Sequence, residues 1–80
     1  MRLPRDVTGQ QLIDALERLG YRVHRQTGSH VRLTLEADPE HHITVPYHDP
    51  IKVGTLNAIL RDVAQRHRLS RDELLQRLFA

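Results

Sequence analysis

Apolar positions along this chain follow two periods, one typical of helices and one typical of strands. Near the N-terminal end they recur on one helical face, at Leu12, Ile13, Ala15, Leu16 and Leu19. Thr8 and Gln11 form the capping-box pattern that begins a helix, and Gly20 supplies a C-terminal stop. The pattern therefore predicts a first helix over 8–19.

Two later segments also have helical spacing. The i, i+3, i+4, i+7 pattern predicts a second helix over about 55–66, and its apolar positions are Leu56, Ile59, Leu60 and Val63. Ser70 and Glu73 form another capping box, so the apolar residues after them predict a short terminal helix over about 70–79. We expect that helix to cover the edge of the core or to contact a partner protein.

Between the first two helices, three short segments alternate apolar and polar residues, as half-buried strands do. They cover 21–26, 31–35 and 42–46. The order α-β-β-β-α with one appended helix predicts an α+β fold, in which a three-stranded antiparallel sheet carries the helices on one face. A chain of 80 residues has room for one domain, here 1–80, with a core over about 8–66.

The alternation also predicts the register of the first hairpin. The buried face is expected to hold Tyr21, Val23, Val31, Leu33 and Leu35. That arrangement pairs Tyr21 with Leu35, excludes a two-residue hairpin and predicts a three-residue loop over 27–29. His30 would then lie opposite Gln26 on the exposed face.

In the second hairpin the same reasoning pairs Leu35 with Ile43 across a loop over 37–41, and extending that ladder brings His48 toward His30. The exposed face of the sheet would then be polar and basic. Its expected members are Arg22, His24, His30, Arg32, His42 and Thr44.

Composition narrows the classes of protein. Twelve basic residues, eleven of them arginine, face ten acidic ones, which gives a net charge of only +2. Arginine suits phosphate and carboxylate recognition, although such a bias can also reflect base composition of a genome. The absence of cysteine excludes disulfides and thiolate metal sites. No apolar run is long enough to span a membrane and the start lacks a signal sequence, so we expect a cytoplasmic protein without a membrane partner.

Histidine is the residue type in this sequence best suited to metal binding or to acid–base catalysis. A zinc site built from His41, His42 and His48 is conceivable, but adjacent histidines diverge and no cysteine is present, so we expect neither metal nor cofactor. We interpret His41 and His67 as surface residues. Ser29 and His30 do not form a catalytic pair, because consecutive strand residues point to opposite faces.

An exposed His30 suits RNA cleavage, because a neutral imidazole can take the proton of a 2′-hydroxyl for attack on the adjacent phosphodiester. Lys52 precedes a predicted helix start near Thr55, where free backbone N–H groups attract a phosphate. His48 either assists at the leaving oxygen or is merely solvated. Two arginines, Arg25 and Arg32, either stabilise the charged phosphorane or pair with acidic residues, which belong to a partner protein or are Glu36 and Glu40.

The order and spacing of four motifs resemble the HicA toxins of bacterial and archaeal toxin-antitoxin pairs. The motifs are Gly20, Gly28-Ser29-His30, Thr44-Val45-Pro46-Tyr47-His48 and Lys52-Val53-Gly54-Thr55-Leu56, within a match from Thr8 to about Val63. The resemblance implies a fold like that of double-stranded-RNA-binding domains, mRNA interferase activity independent of the ribosome, and His30 as the catalytic residue. It also implies a cognate HicB antitoxin that covers this face, forming a hetero-oligomer with a toxin that is monomeric alone. The segment 64–70 departs from the family, being longer than usual and lacking glycine.

Two hypotheses of different classes follow. In the first, the chain is a metal-independent endoribonuclease toxin with His30 as general acid and base. The residues expected to contact RNA are Gly28, Ser29, Arg25, Arg32, His48, Lys52 and Thr55. In the second, it is a noncatalytic RNA-binding module that holds backbone phosphates by shape. Cleavage that depends on His30 would separate the two.

Overall fold

The elements of the computed structural model, which describes residues 3–80, follow the predicted order. They are α1 (Gly9–Arg18), β1 (Tyr21–Thr27), β2 (His30–Leu35), β3 (His41–Pro46), α2 (Val53–His67) and α3 (Arg71–Phe79). The strands form one antiparallel sheet in the order β1-β2-β3, which confirms the α+β class and the element order. Met1 and Arg2, which the predicted single domain includes, lie outside the described residues.

Capping chemistry sets the start of two helices. The Thr8 hydroxyl accepts from the Gln11 backbone N–H at 3.1 Å, while the Gln11 side chain accepts from the Thr8 N–H at 2.9 Å. Ser70 and Glu73 make the same reciprocal pair at the start of α3. Both predicted capping boxes are therefore present. By contrast, α2 begins after Lys52 without a side-chain cap, two residues before the predicted start.

Helices α1 and α2 pack on one face of the sheet, α3 packs against both of these helices, and the buried residues form a single hydrophobic cluster. The terminal helix α3 contributes Leu74, Leu75 and Leu78 to it, all fully buried. The Arg18 guanidinium of α1 also donates to the Leu78 carbonyl. Burying a leucine stabilises a fold by roughly 1.5–3 kcal/mol, so α3 belongs to the core rather than being held out for a partner.

The first hairpin contains a β-bulge that the alternation did not indicate. Tyr21 pairs with Leu35 as predicted, but the register shifts between Val23 and Arg25, which leaves His24 as the extra residue. Val23 was expected to be buried and is 47 % exposed instead. The physical reason is the helix cover: β1 packs mainly against α1 and has Tyr21 as its one buried residue, whereas β3, the other edge strand, packs against both α1 and α2.

The bulge also changes the turn. Thr27 pairs with His30, so Gly28 and Ser29 form a two-residue connection, and the exclusion of such a turn was wrong. An added residue in β1 reverses the parity on which that exclusion rested. His30 therefore lies opposite Thr27, not Gln26. Its exposure on the outer face of the sheet is confirmed.

The register of the second hairpin differs from the prediction by two residues. Leu33 faces Ile43, and Leu35 faces His41 rather than Ile43, so the loop covers 36–40. A shift of two residues leaves every side chain on its predicted face, which is why the face pattern could not select between the two registers. The ladder now places Pro46, not His48, opposite His30.

Of the three helices within residues 3–80, none combines the length and the apolar character that a bilayer span requires.

Candidate functional site

His30 begins β2 directly after the Gly28–Ser29 turn and lies on the outer face of the sheet, at the end that the start of α2 approaches. Gly28 has a φ of +57°, in the left-handed region that favours glycine, and a Cβ there would meet no atom within 4 Å. The glycine is therefore needed for the backbone conformation of the turn and not to relieve crowding. Within residues 3–80 the His30 side chain has no hydrogen-bond or ion-pair partner.

An open groove of about 350 Å³ runs beside His30. We call it the histidine groove, and it is lined by His30, Thr44, Pro46, His48, Lys52 and Thr55. Four of the predicted site residues thus meet in one place, where two imidazoles, an ammonium and a hydroxyl surround the same space. Lys52 and Thr55 lie at the start of α2, where backbone N–H groups without an intrahelical partner add positive potential.

Two arginines extend this positive surface across the sheet. Because of the bulge at His24, Arg25 lies directly opposite Arg32 on the outer face, and Arg32 in turn faces Thr44 of the histidine groove. Like charges in this position destabilise a sheet by roughly 0.2–1 kcal/mol. A bound polyanion would relieve that repulsion.

The alternative pairing of these arginines with Glu36 or Glu40 is not what the structure has. Glu40 lies 3.4 Å from His42 instead, and in the described part of the chain no carboxylate pairs with Arg25 or Arg32. The predicted site residues therefore form a groove around His30 and an arginine pair next to it, joined through Thr44. Gly28 and Ser29 form the turn at the same end of the sheet.

Two backbone hydrogen bonds place His48 beside the histidine groove, one from α1 and one that continues the pairing of β2 with β3. The Gly9 N–H donates to the His48 carbonyl at 2.8 Å, and the Tyr47 N–H donates to the Ser29 carbonyl at 2.6 Å. A Cβ on Gly9 would lie 2.6 Å from the Pro46 carbonyl oxygen, so only glycine permits this approach. Sequence reasoning missed Gly9, whose low helix propensity in the first turn of α1 was its one signal.

Sequence reasoning also missed Tyr47, which lines a second groove on the other side of His48. This tyrosine groove has a volume of about 190 Å³ and is lined by Thr8, Gln10, Tyr47, His48 and Asp49. The Tyr47 hydroxyl donates to the Gln10 side-chain carbonyl at 2.8 Å. His48 is therefore the wall that the two grooves share.

Two other histidines, His41 and His67, were predicted to be surface residues and are instead half-buried and hydrogen-bonded. The Tyr21 hydroxyl lies 2.6 Å from His41 Nδ1 and 3.1 Å from His67 Nε2, and His41 Nε2 lies 3.1 Å from the Asp62 carboxylate. Only 14 % of the His41 side chain is exposed. Burial raises the pKa of Tyr21 to about 12. Burial and the neighbouring Arg66 lower the pKa of His67.

Within residues 3–80, no three His, Cys, Asp or Glu side chains are placed to hold one metal ion. His41, a member of the conceivable zinc site, has both ring nitrogens in hydrogen bonds.

Comparison with known proteins gives a match to one family model, that of the HicA toxin of bacterial toxin-antitoxin systems, over residues 9–64. The matched range contains α1, the three strands and most of α2, whereas α3 lies outside it. No curated protein and no solved structure gives a significant match.

Proposed function

Because the chain belongs to the HicA toxin family, we propose that it is a metal-independent endoribonuclease that cleaves mRNA, with His30 as general acid and base. Family membership makes it the toxin component of a toxin-antitoxin pair and implies a cognate antitoxin as partner. We propose a HicB-type antitoxin that covers the outer face of the sheet, an otherwise monomeric toxin, and action in the cytoplasm.

The main support for the proposal is the set of residues that line the histidine groove together with His30. A general base needs a free lone pair within reach of its substrate, and the exposed, unpartnered His30 ring offers one. Lys52 and the start of α2 line the same space, so a phosphodiester held by them would lie beside that ring.

The proposed reaction is an internal transfer at phosphorus. Neutral His30 takes the proton of the 2′-hydroxyl, and the 2′-oxygen bonds to phosphorus while the bond to the 5′-oxygen breaks. The departing 5′-oxygen receives a proton from an imidazolium, supplied by His30 or His48. The products are a 2′,3′-cyclic phosphate and a 5′-hydroxyl. DNA lacks the 2′-hydroxyl and therefore cannot react in this way.

Positive groups around the groove would stabilise the phosphorane that forms during this transfer. Lys52 and the first turn of α2, including Thr55, would hold the reacting phosphate. Arg25 and Arg32 would hold a neighbouring one. Gly28 and Ser29 would let the RNA backbone approach closely, because the turn that they form carries no large side chain.

The test is cleavage of a single-stranded RNA by the purified, antitoxin-free chain in the presence of a chelator. We expect cleavage in the wild type and a loss of about 10²–10⁴-fold in His30→Ala, the usual contribution of a general acid–base group. His24→Ala is the matched control, because His24 is exposed on the bulge but does not line the groove. A DNA strand of the same sequence should stay intact.

Cleavage at full strength in His30→Ala would refute the assignment of this residue. Salt-dependent RNA binding without any cleavage would favour the second hypothesis, a noncatalytic RNA-binding module, for which the unpaired Arg25 and Arg32 already provide charge.

A further inference from the structure

Tyr47 is an aromatic residue whose ring is largely accessible. It is 45 % exposed, whereas Tyr21 is 1 % exposed. Proteins that bind single-stranded nucleic acid use accessible aromatic rings of this kind to stack bases. The place of Tyr47, immediately before His48, puts its ring at the edge of the proposed reaction site.

The Tyr47 ring is also held in a fixed position. Its hydroxyl donates to Gln10, whose side-chain amide donates in turn to the Asp14 carboxylate at 2.8 Å. Its backbone is fixed by the bond to the Ser29 carbonyl and by the close approach of Gly9. A ring that is ordered before a ligand arrives loses little entropy when a base stacks on it.

The two grooves on either side of His48 differ in charge. The histidine groove contains Lys52 and two imidazoles, which suit a phosphate. The tyrosine groove has no lysine or arginine in its lining and contains the carboxylate of Asp49. A carboxylate repels phosphate but accepts hydrogen bonds from the amino groups of bases. The tyrosine groove therefore suits a base and not a second phosphate.

We propose that Tyr47 is the stacking platform for an unpaired nucleobase next to the phosphodiester in the histidine groove. This inference rests on the proposed function and specifies its substrate class as single-stranded RNA. Bases inside a duplex have both faces covered by their neighbours and cannot stack on Tyr47. The groove lining adds polar atoms from Gln10 and Asp49 that can meet the edge of the base.

The experiment compares three variants on one RNA sequence, presented as a single strand and as a duplex. Tyr47→Leu removes the ring, Tyr47→Phe keeps the ring but removes the bond to Gln10, and Val23→Ala removes exposed apolar surface outside both grooves. We expect kcat/KM on the single strand to fall about tenfold or more in Tyr47→Leu, and about threefold or less in Tyr47→Phe. Val23→Ala should match the wild type, and the duplex should be a poor substrate for every form.

A second measurement reads stacking directly. In a His30→Ala background, an RNA with one 2-aminopurine should lose fluorescence on binding when the probe lies beside the reacting phosphate, and Tyr47→Leu should abolish that loss. Binding and cleavage that are equal in Tyr47→Leu and wild type, or a duplex cleaved as fast as the strand, would overturn the inference while leaving the endoribonuclease proposal intact. Absence of any RNA binding or cleavage by the wild type would instead refute the proposed function.

Discussion

The histidines of this chain occupy two contrasting environments. His30 and His48 line an open groove on the outer face of the sheet, and the His30 ring has no side-chain partner in the described part of the chain. His41 and His67 lie at the other side of the fold, where both contact the hydroxyl of the buried Tyr21. The same residue type is thus available for the proposed chemistry in one region and holds elements together in the other, according to whether its nitrogens already have hydrogen-bond partners.

The hydrogen bonds around the Tyr21 hydroxyl are consistent with one set of donors and acceptors. Asp62 accepts from His41 Nε2–H, so neutral His41 has its lone pair on Nδ1, which accepts the Tyr21 hydroxyl proton. The Tyr21 oxygen can then accept from His67 Nε2–H. This series of hydrogen bonds links β1, β3 and α2, and it fixes the tautomers of both rings. A ring bound in this way at His41 cannot act as a base without breaking the network.

The largest effect that sharpens this comparison is expected from His41→Ala. The Tyr21 hydroxyl would lose its acceptor while still buried, which should lower the free energy of unfolding by about 1–3 kcal/mol. Cleavage per folded molecule should not change, whereas His30→Ala should lose cleavage and keep its stability. Thermal or denaturant unfolding, measured beside cleavage, checks both.

The matched control for that variant is His42→Ala. This neighbour is exposed, so its removal should alter stability by no more than about 0.5 kcal/mol. If folded His41→Ala lost cleavage as His30→Ala does, the proposed division would be wrong, in which His30 acts in cleavage and His41 only stabilises the fold.

Acid should lower the free energy of unfolding through His67, one of the histidines bonded to Tyr21. Burial first, then Arg66, His41 and Arg77, lower the pKa of His67 below its ordinary value of 6.5. The unfolded chain therefore binds more protons than the folded one as pH falls through 6.5, and stability must decrease in that window until the lower folded pKa is reached. Unfolding measured across this range should show the loss.

His67→Gln tests the source of that loss. Its side-chain amide can still donate to Tyr21 but does not titrate, so the decrease in stability with acid should be smaller than in the wild type. An unchanged dependence on pH would show that His67 is not responsible.

The smallest expected effect on stability concerns the arginine pair beside the histidine groove. Arg25→Ala removes the repulsion with Arg32 and should raise the free energy of unfolding by about 0.2–1 kcal/mol. It should also weaken RNA binding and reduce the salt dependence of log K by about 0.7. Arg22→Ala, on the same face opposite Thr34, is the control for a general loss of charge. Greater stability should appear only in Arg25→Ala.

The helices were the most predictable part of the fold, because their signals are local. The boxes at Thr8 and Ser70 are chemical pairs within four residues, and both form as predicted. The start of α2 has no such pair, and its predicted boundary was two residues late. Strand faces were also predictable for β2 and β3, since alternation decides them without knowledge of the partner strand.

The register was less predictable. The bulge at His24 has no signal in the alternation, yet it moves Arg25 onto the outer face and makes the turn at Gly28 two residues long. The pattern could not choose between two registers of β3 that differ by two residues, because side chains return to the same face every second residue. Both errors left His30 exposed, so the candidate residue itself was robust to them.

The sequence by itself determined the element order, the exposed position of His30 and the family pattern, because caps, alternation and motif spacing are properties of neighbouring residues. Only the tertiary structure decided which histidines remain free. His48 enters the groove because Gly9 lets α1 approach the chain at Pro46, and His41 and His67 are engaged because β1, β3 and α2 meet at Tyr21. The residues in those contacts are separated by 20 to 46 positions in the sequence, so no local pattern can predict that they meet.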